Sequence, residues 1–131
     1  MKETNYINVD LEIESNEDLS PIIDEFGNDI IVLYNDYNKS NNTYTLVAES
    51  TFDYKFRNPD ELINCFYFKI NKFSSETRRL WDNCNQRVFN IGYGCILTTV
   101  KYESEIKSLT IKNVSELGAA IKITIYPSKT I

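Results

Sequence analysis

Histidine is absent from all 131 residues, so whatever chemistry this chain performs must come from carboxylates, cysteines, tyrosines and cations. That removes Ser-His-Asp and Cys-His nucleophile pairs, histidine metal sites and the usual neutral-pH acid–base group. Glu12 and Glu14 lie two residues apart in an alternating segment. They would be roughly 6–7 Å apart on one strand face, a spacing a glycosidase pair can use. The same alternation makes them the solvated face of a first strand, which is the preferred reading. Pro59-Asp60 with Glu105-Ile106-Lys107 superficially matches a magnesium-nuclease pattern, but Pro59-Asp60 opens a helix, whereas a metal-holding aspartate belongs at a strand end. Gly92-Tyr93-Gly94 lacks the third glycine and the following helix of a dinucleotide site, and reads as a close backbone approach at a strand end.

The rarest residues gather between Arg78 and Cys95, a stretch with the single tryptophan, Trp81, two of the three cysteines and two of the four glycines. Arg87, just before an apolar strand, has the charge to clamp an anionic ligand; pairing with Asp82 or Glu76 is favoured over that. Trp81 is expected in the core rather than as a ligand platform. Trp81, Arg87 and Tyr93 together define the alternative, ligand-binding reading. Three cysteines without a C-x-x-C spacing make neither a disulfide framework nor a four-cysteine zinc site. Cys65, Cys84 and Cys95 are expected free and mostly buried. No metal or other cofactor is implied.

The elements that carry these residues follow from hydrophobic period. Tyr6–Glu14 alternates, with Ile7, Val9, Leu11 and Ile13 on one face and Asn8, Asp10, Glu12 and Glu14 on the other. Ser20-Pro21 starts a short helix that Gly27 ends, with Leu19, Ile22, Ile23 and Phe26 as its buried stripe. Ile30–Tyr34 is a continuous apolar run, typical of a strand covered on both sides. After the asparagine-rich loop of residues 35–42, Thr43–Ser50 alternates and pairs with it as a hairpin. Thr51–Arg57 either extends that strand or crosses the sheet. Asn58-Pro59-Asp60-Glu61 is a helix N-terminus, Ser74-Ser75 breaks or recaps that helix, and Glu76–Cys84 is a second one burying Leu80, Trp81 and Cys84. Strands are expected from Arg87, over Cys95–Glu103 and over Ile121–Tyr126. Leu109, Ile111 and Val114 suit a strand by propensity, yet Ile111, Val114 and Leu117 at helical spacing before Gly118 predict a helix over Ser108–Leu117.

A shift of the chain by 91 positions aligns Val9 with Val100, Ile23 with Val114, Gly27 with Gly118, Ile30 with Ile121 and Val32 with Ile123. The matches read either as an internal repeat of strand, helix and strand or as chance agreement between two such units. The expected fold is therefore α+β, one domain over residues 1–131. It has a single mixed sheet of about six strands with helices mainly on one face, in ferredoxin-like βαββαβ order plus a terminal βαβ unit.

Composition is that of an ordinary soluble domain, 42% apolar and 25% charged,, with no apolar run long enough to span a membrane as a helix. The N-terminus carries no signal-like apolar segment, and a reducing cytoplasm is the expected location. The Asn-x-Ser/Thr triplets at Asn38, Asn41 and Asn113 then carry no glycan meaning. The net charge of −5 is unevenly spread, because residues 1–36 hold ten acids and one base, Lys2, while the remainder holds nine acids and thirteen bases. Nucleic acid is disfavoured by the acidic end and by the scatter of the bases.

The run Trp81-Asp82-Asn83-Cys84-Asn85-Gln86-Arg87-Val88-Phe89-Asn90-Ile91-Gly92 and the ending Leu117-Gly118-Ala119-Ala120-Ile121-Lys122-Ile123-Thr124-Ile125-Tyr126-Pro127 resemble a family of small uncharacterised bacterial proteins. Asp18-Leu19-Ser20-Pro21 and Phe26-Gly27 extend the resemblance over most of the chain. It implies a bacterial cytoplasmic protein and no particular activity. Asn90 stands where an acid would be expected, which weakens metal or acid–base chemistry there. The expected function is a non-catalytic protein-binding module of the bacterial immunity type. Its acidic N-terminal region, with Glu12, Glu14, Glu17 and Asp18, would meet a basic partner. The alternative is a small-ligand or enzymatic module with a pocket near Trp81, Arg87 and Tyr93.

Overall fold

The computed structural model describes residues 4–51, 58–96 and 101–127. In chain order these form β1 (Asn5–Ser15), α1 (Ser20–Phe26), a 3-10 turn (Gly27–Asp29), β2 (Ile30–Asn38), β3 (Thr43–Ser50), α2 (Pro59–Asn71), α3 (Ser75–Asp82), β4 (Gln86–Cys95), α4 (Ser108–Glu116) and β5 (Ala120–Pro127). Among the described residues the fold is α+β, with four helices and a single five-stranded mixed sheet of order β2-β3-β1-β4-β5. β2 pairs with β3, β3 with β1, and β1 with β4, all antiparallel. β4 and β5 run parallel; parallel neighbours need a crossover, which the segment through α4 supplies. The count of six strands is corrected to five among the described residues. Cys95 closes β4, residues 101–103 form no strand, and the rest of the expected Cys95–Glu103 strand lies outside the described residues. The expected extension over Thr51–Arg57 lies there too, apart from Thr51.

Local signals explain most element boundaries. The Asn58 side chain accepts from the Glu61 amide at 2.9 Å and donates to the Glu61 carboxylate at 2.7 Å, a reciprocal cap of α2,. Ser74 recaps the chain for α3 by accepting from Thr77 N at 3.2 Å,. At α1 the cap position is Leu19 rather than Ser20, and no side chain fills it; Asp18 instead accepts from Ser20 N and Oγ. Gly27 and Gly118 both have positive φ, +70° and +67°, so each reversal out of a helix into a strand uses a conformation that suits glycine. This helix–glycine–strand portion is common to the two segments related by the 91-residue shift.

The helices cover one face of the sheet. Val9, Leu11 and Ile13 of β1, Leu46 and Ala48 of β3, and Phe89 and Ile91 of β4 join Leu62, Ile63, Phe66 and Ile70 of α2 in one core. Phe66 sits at its centre, 5.8 Å from Phe26 and 5.7 Å from Phe89 between ring centroids, distances at which tilted aromatic pairs attract.

Three expectations about burial are corrected. Ile7 is 45% exposed rather than in the core stripe, because the β1–β4 register skips it between Tyr6 and Asn8, and a bulge re-aims the extra residue. Ile30–Tyr34 is not covered on both sides. It lies in β2, an edge strand in which only Ile30 is buried. The helix over α4 is borne out, but Ile111 is exposed, and the face turned inward carries Thr110, Asn113, Val114 and Leu117. Two of those are polar because α2 offers them a partner: Asn64 donates to Thr110 Oγ1 at 3.3 Å and accepts from Asn113 Nδ2 at 3.0 Å, which meets the requirement that buried polar groups be bonded.

Candidate functional site

Side chains that alternate away from the core form the helix-free face of the sheet. The register sets Asp10 between Glu49 on β3 and Asn90 on β4, Glu12 between Val47 and Val88, and Glu14 between Thr45 and Gln86. Asp36 of β2, opposite Thr45, belongs to the same face. Five acids on this face, Asp10, Glu12, Glu14, Asp36 and Glu49, thus stand against one strand lysine, Lys122. Like charges directly opposite repel, and Asn8 relieves the Asp10–Glu49 pair by donating to Asp10 Oδ1 at 3.2 Å and Glu49 Oε2 at 3.0 Å. Glu12 accepts from Asn90 Nδ2 at 2.8 Å and meets Lys122 Nζ at 2.8 Å. Asn90 Oδ1 in turn accepts from Thr124 Oγ1 at 2.7 Å.

Glu17 and Asp18 stand elsewhere. They follow β1 in the loop to α1 and line a cleft of about 440 Å³ with Glu76, Arg79 and Asn83. The Asp18 carboxylate accepts from the Ser20 hydroxyl at 2.7 Å and the Ser20 amide at 2.9 Å, and these bonds hold it below its ordinary 3.8,. Of the four acids expected to act together, Glu12 and Glu14 share the sheet face, while Glu17 and Asp18 lie past its end.

Trp81 is fully buried, and its indole N–H donates to Leu117 O at 2.9 Å. Arg87 does pair structurally, but with carbonyls instead of the expected carboxylates of Asp82 or Glu76. Its Nη1 donates to Trp81 O at 2.8 Å and to Asp82 O and Cys84 O at 3.0 Å each, and its Nε donates to Gly118 O at 3.0 Å. The guanidinium therefore caps the carbonyl end of α3 and ties it to the turn after α4, where a cation also meets the helix dipole. Tyr93 is six residues further along β4, roughly 20 Å at strand rise. Its hydroxyl bonds Ser104 Oγ at 2.7 Å, and it lines a separate apolar cleft of about 390 Å³ with Tyr102, Ile106, Ile123 and Ile125. Trp81 and Arg87 do not line that cleft.

Sequence reasoning did not select Glu49, Asn8, Asn90 or Lys122 as partners of Glu12 and its neighbours. Alternation already put Asn8 and Asp10 on the right face, but the others needed strand register, which no local pattern contains. Among the described residues no group of three or more histidine, cysteine, aspartate or glutamate side chains is arranged to hold a metal ion. No helix among them is long and apolar enough to cross a membrane. Comparison with protein-family models, curated proteins and solved structures finds no match.

Proposed function

We propose that this protein is a non-catalytic binding module whose helix-free sheet face receives a basic protein partner, in the manner of a bacterial immunity protein. The observation that carries this is the five-to-one excess of acids over lysine on the strands of that face. Such a field steers a cationic partner and favours its correct orientation. The bonds from Asn8 and Asn90 hold the carboxylates in place, which lowers the entropy lost on docking. Glu12 and Glu14 lie at the centre of this surface, and Glu17 and Asp18 add negative charge at its margin. The resemblance to small bacterial cytoplasmic proteins accords with the same reading. So does a ferredoxin-like frame for the first four strands, supported by their order β2-β3-β1-β4 and antiparallel pairing.

Co-purification from the native cell, or co-expression with the neighbouring open reading frame, tests it. A basic protein should be retained at low salt and released as salt rises. Combined reversal at Asp10, Glu12 and Glu14 to lysine should abolish retention while the far-UV circular dichroism stays unchanged. Failure to retain any protein, together with no measurable effect of that reversal, would sink the reading.

The cleft beside Tyr93 favours a second, small-ligand reading, because an apolar cavity with the Tyr93 and Ser104 hydroxyls at its wall suits a compact apolar molecule,. Trp81 lies outside that cleft, so a thermal-shift screen reports on it better than tryptophan quenching. A flat response across aromatic and aliphatic ligands would exclude it.

A further inference from the structure

We infer that one corner of the helix-free face, between Glu14 and Asp36 and beside the ring of Tyr34, is an arginine-binding site at which the basic partner anchors. This rests on the reading of that face as a docking surface. Register builds the site. Glu14, Thr45 and Asp36 stand in one row across β1, β3 and β2, and Glu12, Val47 and Tyr34 form the next row. Residues directly opposite in such a ladder point to the same side. Strands are spaced by ~4.8 Å, so Glu14 and Asp36 stand about 10 Å apart with Thr45 between them. The two acids thus flank a short side chain, and Val47 continues that low floor beside Tyr34.

What the other acids already hold singles this pair out. Both oxygens of Glu12 are taken, Oε1 by Lys122 and Oε2 by Asn90. Asn8 donates to both Asp10 and Glu49. The half-buried Glu14 carboxylate has no hydrogen bond or ion pair among the described residues. Asp36 accepts from the Tyr34 hydroxyl at 2.9 Å through Oδ2, which leaves Oδ1 open and holds the ring beside it. An incoming cation gains more from carboxylates that no other cation has neutralised.

The chemistry selects arginine over lysine. A guanidinium is planar with five donors, so it bonds a carboxylate at each edge at once, whereas an ammonium is a compact, strongly hydrated point charge. Tyr34 is 50% exposed, and its ring offers a guanidinium a face to stack on. The methylenes of an arginine stem suit the floor of Val47 and Thr45. The described stretches end away from this corner. Asn5 pairs with Gly94 and Cys95 with Pro127 at the opposite end of the sheet. Thr51 leaves β3 beyond the Asp10–Glu49 pair, and the described chain resumes at Asn58, the cap of α2, in the helical layer.

Titration of the full chain with N-acetyl-arginine amide, followed by backbone amide NMR, tests the site without the partner. Shifts should concentrate at Glu14, Tyr34, Asp36 and Thr45 and saturate, and N-acetyl-lysine amide should bind several-fold more weakly. Glu14→Gln and Asp36→Asn should each weaken the arginine response, and Tyr34→Leu should narrow the preference over lysine, all with amide dispersion otherwise unchanged. Shifts spread evenly over the acids of the face, or equal affinity for the two amides, overturn the inference. A retained partner separates it from the docking reading. If Asp10→Lys with Glu12→Lys releases that partner while Glu14→Gln with Asp36→Asn does not, the docking face stands and the arginine site falls. If no protein is retained although the arginine amide binds selectively at this corner, the docking reading falls and the site stands.

Discussion

Replacing Arg87 by alanine is expected to destabilise the fold by ~3 kcal/mol. The guanidinium reaches four carbonyls, but three of them share Nη1, which has only two hydrogens. The set is therefore worth about three bonds, not four. Hydrogen bonds to charged groups contribute roughly 1.5–3 kcal/mol each, and Arg87 is half-buried, so water can replace part of what is lost. About 1 kcal/mol per bond is a fair value. Arg87→Lys keeps the charge but loses the planar fork, and should still cost ~2 kcal/mol. Gly118 offers a cross-check from the other side of the joint. A Cβ there would lie 2.9 Å from Arg87 Nη2, and its φ is +67°, so Gly118→Ala should cost ~1–2 kcal/mol from backbone strain alone, plus the displacement of the guanidinium. In an Arg87→Ala background that second component disappears, and the two changes should be less than additive. Urea unfolding followed by Trp81 fluorescence measures all of these. A loss below ~1 kcal/mol for Arg87→Ala, or strict additivity with Gly118→Ala, refutes Arg87 as the clasp between α3 and the turn after α4.

Trp81→Phe leaves Leu117 O without its buried donor and should cost ~1–3 kcal/mol, while Trp81→Ala adds a cavity and should reach ~3–5 kcal/mol; thermal unfolding distinguishes both from a neutral change. Glu25 bridges α1 to α3 by accepting from the Thr77 hydroxyl and from Ser74 N and Oγ, and these bonds hold its pKa below the ordinary 4.5, as Ser20 holds Asp18 below 3.8. Because both folded-state values are lowered, their contribution is complete above the unfolded values and is lost as pH falls through the lower, folded ones; Glu25→Gln should flatten stability-against-pH curves below about pH 4.5 and leave the shape near pH 7 unaltered. Burial pushes the Cys84 thiol up to about 11, so Cys84 should resist thiol reagents at pH 8 in the folded state and react only on unfolding; rapid native labelling, mapped by peptide mass, would contradict its placement.

Features that neighbouring residues decide are legible along the chain. The alternation of β1 named Val9, Leu11 and Ile13 as core and Glu12 and Glu14 as the outer face. Asn58 and Ser74 announced two helix starts, and Gly118 marked the end of α4. Even the preference for Trp81 in the core and for Arg87 in structural pairing was legible, since a tryptophan and an arginine beside a helix end and an apolar strand have few other stable uses. The alternation, the caps and the helix stop depend on contacts within about four positions along the chain, whereas the partners that Trp81 and Arg87 found, Leu117 and Gly118, are more than thirty positions away.

Which strands lie at the edges follows from the assembled sheet, and that is where local patterns misled. Ile30–Tyr34 reads as a doubly covered strand, because an apolar run carries no mark of whether a neighbour will pair with it. The sheet order leaves it at an edge with one buried residue, and leaves β5 with Ile123 and Ile125 exposed at the other. Likewise Glu49 and Lys122 join the face of Glu12 through pairings between residues far apart in sequence, and Arg87 found carbonyls in place of carboxylates. Register, edge position and the meeting of α3 with the turn after α4 are set by packing of the whole sheet against its helices, a sum over distant contacts that no local period encodes.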